Sequence, residues 1–279
     1  MFLARAYFAS VTATIFGDAF PHEIFDDLMI VDAWLYHLLA PPLAWFAVPA
    51  HRAQRRIKAR LLDFMVPWHT NGGTEDVEDV SAHGNDVLRQ LVRSRMSPLD
   101  QAGALEGYVW TTFTTVARLS FWLFAHLLAD PCAYERVQEA VVREVETEWV
   151  REGRELLDAS PAALGGDKFA LLDSAIKEAA RIHLLPMSYR NVLRDVEIPV
   201  VDRDGRKGTF WARQGDVVVA NVRAMHWDAR LFDDPGTFRV DRFLDKETDR
   251  SRYLSIFGRG KYTVSDSIAG GGFSALIRS

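Results

Sequence analysis

The longest apolar stretch of the chain, residues 99–128, most constrains what the chain can fold into. It contains few charged residues and ends at Asp130-Pro131, which favours one continuous helix of about thirty residues, because proline is disfavoured inside a helix. Helices in globular proteins average about eleven or twelve residues. We therefore expect this helix to be central and buried, in a mainly helical protein.

Four threonines lie in the middle of this predicted helix: Thr111, Thr112, Thr114 and Thr115. A β-branched hydroxyl residue is neutral or unfavourable there unless its hydroxyl bonds the preceding turn or a ligand. The sequence alone leaves both interpretations open, so these hydroxyls are either core groups bonded back to the helix or part of a site.

A second amphipathic helix is predicted within residues 171–190, where apolar residues recur at three- and four-residue steps until Pro186 ends the pattern. Glu178 and Arg181 stand three positions apart, so they share one face of this helix. Alone, such a pair is an ordinary exposed ion pair that contributes about 0.3 to 0.5 kcal/mol. Its meaning depends on the segments before and after it.

The composition bounds the class of protein. With 279 residues, of which 48% are apolar, the chain can bury a large core. The formal net charge of −5, with both signs mixed, gives no basic stripe, so nucleic acid is not expected as a partner. The single cysteine, Cys132, excludes an intramolecular disulfide framework and a cysteine-pair zinc site, and the histidines show no clustered spacing.

The most membrane-like window, residues 29–50, is interrupted by Asp32, His37, Pro41 and Pro42, which argues against a spanning helix. A buried helix that breaks at the two prolines is expected, with contact to a membrane surface as the alternative. The next predicted helix, residues 51–65, is strongly basic. We expect its charges to form a solvated face, with a specific anion site as the alternative.

After Arg190 the sequence pattern changes from helix to strand. Residues 196–201, 208–212 and 216–221 alternate or run apolar around two turns that contain glycine, which predicts a small antiparallel sheet. Residues 226–245 have few helical repeats and many turn residues. They are expected to form an irregular, packed segment.

In this order the features resemble the C-terminal half of a cytochrome P450. The resemblance rests on the long helix ending at Asp130-Pro131, Glu178-Ala-Ala-Arg181, the small sheet, His226-Trp-Asp, Asp234-Pro235, Phe238-Arg-Val-Asp-Arg242-Phe243 and Phe257-Gly-Arg-Gly260. It covers nearly the whole chain to about Thr263. It implies a partial cytochrome P450 fold, mainly α with a small antiparallel β-sheet.

The resemblance also implies a domain organisation, a single partial domain over residues 1–279. Residues 1–190 would be helical, and residues 191–263 would hold the small sheet, the irregular segment and the start of the haem loop. The tail over residues 264–279 does not resemble the family.

Individual residues match positions that carry a role in the family. Three match its structural triad, in which two guanidiniums share one buried carboxylate: Glu178, Arg181 and Arg242. Arg190 matches the arginine that pairs with a propionate of haem b, with an ordinary surface arginine as the alternative. Phe257 and Gly260 match the start of the haem-binding loop.

The candidate catalytic positions are Thr115 and Thr114. Thr115 matches the family's oxygen-activating threonine, whereas Thr114 stands where the family has an acid, and Thr111 and Thr112 replace a small pair. A missing carboxylate weakens the proton relay to bound dioxygen. This departure resembles the branch that holds the sterol 7α- and 12α-hydroxylases and prostacyclin synthase, in which both hydroxylation and rearrangement of peroxides occur.

The axial thiolate that the resemblance requires is missing. Its position is held by Val264, and no cysteine follows. Val264-Ser265 can be encoded by a consensus intron start, so we expect a retained intron, with an evolved loss as the alternative. The resemblance begins near the helix before the F helix, so the family's membrane anchor and first helices are expected to be absent.

We therefore interpret the chain as a fragment of a haem-thiolate monooxygenase that acts on a small apolar, lipid-like or sterol-like substrate, and we expect it to be inactive as written. The resemblance implies haem b and its iron as cofactor, NADPH-P450 reductase as partner and the endoplasmic reticulum membrane as location. The alternatives are a P450-type peroxide isomerase and a haem-free helical binding module.

Overall fold

Two compact units make up the chain, Met1–Arg118 and Leu119–Ser279. The computed structural model describes residues 2–39, 41–147, 169–184, 187–202, 204–245 and 253–256. Phe257, Gly260, Val264 and the tail over residues 264–279 lie outside these ranges. The single domain expected over residues 1–279 stays a prediction.

The first unit is built from helices. They are α1 (Phe2–Phe16), α2 (Phe25–Ala33), α3 (Leu35–Leu39), α4 (Pro41–Ala44), α5 (Val48–Thr70), α6 (Ala82–Val92) and the first part of α7 (Pro98–Ala129), with a 3-10 turn at His22–Ile24. Aromatic rings from three of the helices form the centre of the core. Phe8, Phe25 and Phe113 lie 5.3 to 5.7 Å apart between ring centroids, and such pairs each add about 0.5 to 1.5 kcal/mol beyond their buried area.

Helix α7 extends one residue further at each end than the helix expected over residues 99–128. Its buried apolar side chains recur every three or four residues: Leu105, Val109, Phe113 and Val116 in the first unit, and Leu119, Leu123 and Leu127 in the second. By length and composition, α7 is the one helix among the described residues that could cross a membrane, a test that core helices of soluble proteins also pass. The buried stripe is typical of a core helix.

A helix ends at Leu39, ahead of the two prolines, and a separate short helix, α4, begins at Pro41. Proline is tolerated in a first helical turn, where its missing N–H would have had no partner. Helix α5 also runs past its predicted end at Met65 and reaches Thr70, with Pro67 inside it. The prolines named here thus lie in the first turn of a helix or inside one.

The second unit holds the rest of α7, α8 (Pro131–Val145), α9 (Ala170–His183), the strands β1 (Met187–Asn191), β2 (Val196–Val201), β3 (Lys207–Ala212) and β4 (Val217–Asn221), and α10 (Val222–His226). The strands form two antiparallel pairs, β1 with β4 and β2 with β3, rather than one sheet of three strands. Residues 227–245 form turns and bends, as predicted. A mainly helical fold with small antiparallel sheets is confirmed.

Candidate functional site

The second unit contains a fully buried ion cluster. Arg181 donates from Nε to Oε2 of Glu178 at 2.8 Å and from Nη2 to Oε1 at 2.9 Å, both residues lying on one face of α9. Arg242, in the irregular segment, donates from Nε to the same Oε1 at 2.7 Å. All three side chains have 0% exposed surface. The structure therefore brings the three residues of the predicted triad together around one carboxylate.

Both guanidiniums also donate to backbone carbonyls of the irregular segment. Arg181 donates to the oxygens of His226 at 2.7 Å and Pro235 at 2.8 Å. Arg242 donates to three more carbonyls, of which the Asp233 oxygen at 2.6 Å is the nearest. A segment without helix or strand leaves its carbonyls unpaired, and buried carbonyls need donors. The cluster supplies these donors and so fixes the path of the segment.

Two contacts around the cluster extend this arrangement. The ring of Phe232 lies 5.1 Å from Cζ of Arg181, within the range of a cation–π interaction. One turn before Glu178 on α9, the Ser174 hydroxyl accepts a hydrogen bond from the backbone N–H of Phe243 at 2.9 Å. The irregular segment is thus held to α9 by side chains from successive turns of that helix.

His226 connects the cluster to residues 253–256. Its imidazole is fully buried, and Nε2 accepts a hydrogen bond from the backbone N–H of Ser255 at 3.2 Å. Burial, and after it the charge of Arg181, lowers the pKa of His226 to about 4, so the ring is neutral near pH 7 and can accept. In the sequence, His226 is recognisable only as part of a motif, because Ser255, its partner, lies 29 positions away.

The predicted cofactor residues are placed only in part. Arg190 is exposed on β1, opposite Val218 of β4. Phe257 and Gly260 lie outside the described residues.

The donor set does not fit a haem-thiolate centre. The only cysteine of the chain, Cys132, is exposed in the first turn of α8. The position that the resemblance assigns to the axial thiolate holds Val264, whose side chain has no atom that ligates iron. Over the described ranges, no group of three or more His, Cys, Asp or Glu side chains could hold a metal ion.

The threonines of α7 differ in what their hydroxyls bond. Thr111 donates to the carbonyl of Gly107, and Thr114 donates to the carbonyl of Trp110, each at 2.8 Å. These two hydroxyls therefore bond the preceding turn, which is the first of the two interpretations left open by the sequence. Thr115 is half-buried, and within the described part of the chain its hydroxyl has no hydrogen-bonded partner. Of these three hydroxyls, the structure leaves that of Thr115 for another partner.

A buried carboxyl lies on α7 two and a half turns before Thr115. Glu106 is 6% exposed, and its Oε1 has no hydrogen-bond partner among the described residues. Burial raises its pKa to about 7, a shift that the charge of Lys58 partly opposes. The Lys58 ammonium packs against α7 at Gly103, one turn earlier. Glu106 could not be recognised from the sequence, because one acid in an apolar helix forms no pattern.

The stability of the Glu106→Gln variant, relative to that of the native chain, is expected to increase as the pH rises from about 4.5 to about 7. In that interval the folded state keeps the proton of Glu106 while the unfolded state releases it, so the native chain loses stability. After allowance for solvent screening, we expect the difference in free energy of unfolding between the variant and the native chain to change by about 1 to 2 kcal/mol over this pH interval. Urea unfolding at several pH values measures it. The exposed Glu139→Gln on α8 is the matched control, and an equal pH dependence in both variants would contradict the assignment.

The amino-acid sequence is similar to those of known proteins. The family described as Cytochrome P450 matches residues 18–262. The chain is similar to cytochrome P450 7A1 of Sus scrofa (26% identical over 171 residues, covering 58% of this chain and 32% of the relative) and to prostacyclin synthase of Rattus norvegicus (28% over 207 residues, 74% and 38%). It is also similar to the 7-alpha-hydroxycholest-4-en-3-one 12-alpha-hydroxylase of Oryctolagus cuniculus (29% over 199 residues, 68% and 38%). The matched part thus spans between 32% and 38% of each relative's length.

Proposed function

Because the chain belongs to the cytochrome P450 family, we propose that it is part of a haem-thiolate monooxygenase that acts on an apolar, lipid-like or sterol-like substrate. The observation that carries the proposal is the buried cluster of Glu178, Arg181 and Arg242, which fixes the segment ahead of the predicted haem loop. The rabbit relative is a 12-alpha-hydroxylase of 7-alpha-hydroxycholest-4-en-3-one, which supports this substrate class.

In the proposed whole protein, Thr115 lies beside the oxygen site and Arg190 pairs with a propionate of haem b. The Thr115 hydroxyl has no hydrogen-bond partner among the described residues, and Arg190 is exposed on β1. Both observations are compatible with these roles. A planar guanidinium suits a carboxylate because it can donate two parallel hydrogen bonds. Phe257 and Gly260 would begin the haem loop.

We also propose that this chain, a fragment of that protein, forms no haem-thiolate and has no monooxygenase turnover. With haem supplied during expression, the ferrous-CO complex is expected to lack the red-shifted Soret band that a thiolate ligand produces, because Val264 cannot ligate iron and Cys132 lies on α8. Absorption spectroscopy of the purified chain measures this. The Cys132→Ala variant should give the same spectrum, and a red-shifted band from either protein would refute the proposal.

A P450-type peroxide isomerase is the second candidate. It is favoured by Thr114, since that position carries no acid for a proton relay and its hydroxyl is committed to the Trp110 carbonyl. Prostacyclin synthase is among the relatives. In a full-length protein with a restored cysteine, a hydroxylase would consume reductase-supplied electrons with its substrate, whereas an isomerase would turn over a peroxide without them.

We propose NADPH-P450 reductase as the redox partner and the endoplasmic reticulum membrane as the location of the whole protein. The surface of the first unit supports membrane contact. Four large side chains around α3 and the start of α5 are between 71% and 86% exposed: Tyr36, Leu39, Trp45 and Phe46. Arg52 and Arg55 follow directly on α5 and are exposed, which would favour anionic head groups.

A further inference from the structure

Four rings in the second unit form a column of two stacked pairs, whose two histidines meet with 5.0 Å between ring centroids and 41° between planes. The imidazole of His183 on α9 stacks on Trp122 at 4.0 Å, and that of His126 stacks on Phe238 at 4.4 Å, with 3° between the planes in each pair. The two imidazoles meet through their Nε2 atoms, which are 2.7 Å apart. Both histidines are half-buried, and Trp122 is 41% exposed, so the meeting point lies close to solvent.

This contact requires two neutral rings or one shared extra proton, because one Nε2 must donate and the other must accept. Burial lowers the pKa of His126, although the charge of Glu178 opposes this, and burial together with His126 lowers the pKa of His183 to about 4. Both shifts favour the neutral form of the imidazole. Neutral imidazole is the form of histidine that binds metal ions.

We propose that His126 and His183 form a binding site for a divalent transition metal ion of the zinc and copper class, which replaces the proton between their Nε2 atoms. Imidazole nitrogen is a preferred ligand of these metals. When the metal binds, the donor ring moves its proton from Nε2 to Nδ1, so that both Nε2 lone pairs face the ion and neither neutral ring loses a proton.

The geometry of the column allows this replacement with a small movement. Two nitrogens at 2.0 to 2.1 Å from a tetrahedral Zn²⁺ are about 3.3 Å apart, so the Nε2 atoms must separate by about 0.6 Å. Each imidazole is parallel to its aromatic neighbour and can slide in its own plane while it stays stacked. No third protein ligand is found over the described ranges, so water fills the remaining positions and affinity is expected to be moderate.

Calorimetric titration of the full chain with ZnCl₂ near pH 7 tests the site. We expect one ion per chain, and His126→Ala and His183→Ala should each weaken binding by more than about tenfold, since the loss even of an outer-shell partner of a ligand costs about 10- to 100-fold in metal affinity. His83→Ala is the matched control, since His83 lies in the first unit and its Nε2 contacts the Tyr108 hydroxyl. This control should bind Zn²⁺ as the native chain does.

A measurement on the native chain covers the case in which a variant fails to fold. In ¹⁵N NMR of the imidazole nitrogens, Zn²⁺ should shift the Nε2 resonances of two histidines together, and Cu²⁺ should quench the fluorescence of Trp122, a change that Trp122→Phe removes. The proposal is overturned if the native chain binds no Zn²⁺, if the double variant His126→Ala/His183→Ala binds it unchanged, or if His83→Ala weakens binding equally.

Discussion

Arg242→Leu is expected to lower the free energy of unfolding by about 3 to 5 kcal/mol, because it removes one member of a buried ion cluster together with several buried hydrogen bonds that only Arg242 donates. Glu178 would keep one guanidinium partner instead of two. The carbonyl oxygens of Asp233 and Thr237, which accept from Arg242 at 2.6 and 2.8 Å, would lose that donor. Each buried acceptor left without a donor adds a desolvation cost of about 1 to 3 kcal/mol.

Urea unfolding followed by circular dichroism measures this loss. The matched control is Arg136→Leu, since Arg136 forms an exposed pair with Asp241 at 3.1 Å. We expect this control to cost less than about 1 kcal/mol, because solvent screens exposed pairs. Arg242→Lys should give an intermediate loss, because one ammonium keeps the charge but cannot serve several acceptors in a fixed plane. Equal losses for Arg242→Leu and Arg136→Leu would show that the cluster does not hold the irregular segment.

Elements whose pattern is local could be predicted from the sequence. Helix α7 follows from apolar residues at helical spacing, and the pairing of Glu178 with Arg181 follows from their separation by three positions on α9. The approach of Arg242 was expected only through the family resemblance, because its Nε reaches Glu178 across 64 positions. Local sequence patterns therefore predict the helices and the pairing of Glu178 with Arg181. Only the family resemblance predicts the contact of Arg242 with Glu178.

Features that depend on distant partners were missed. Strand β1 follows α9 in the chain. Its own five residues do not reveal that it pairs with residues 217–221 of β4. The contact of His126 with His183 joins positions 57 apart, so the absence of clustered histidines in the sequence did not reveal it. At Pro41 the end of the preceding helix was expected, but the short helix that starts there was not.

Gly84 lies where α6 packs closely against α1, so one added methyl group there should be costly. A Cβ at Gly84 would lie 2.1 Å from the carbonyl oxygen of Ile15 on α1 and 2.9 Å from Cγ1 of Val80. Ser81, the N-cap of α6, also depends on this approach, because its hydroxyl donates to the Ile15 oxygen at 2.8 Å and accepts from the Gly84 N–H at 3.0 Å. The backbone cannot yield without breaking these bonds.

Gly84→Ala is therefore expected to destabilise the chain by about 3 kcal/mol, the upper end of the usual cost of overpacking. Gly107→Ala makes the same chemical change on α7, where no atom lies within 4 Å of the added Cβ. That variant should gain about 0.5 to 1 kcal/mol, since alanine is the better helix former. Opposite signs in urea unfolding would show that helix–helix approach, not helix propensity, decides the outcome at Gly84. A gain at both positions would mean that α1 and α6 leave room for a methyl group at Gly84.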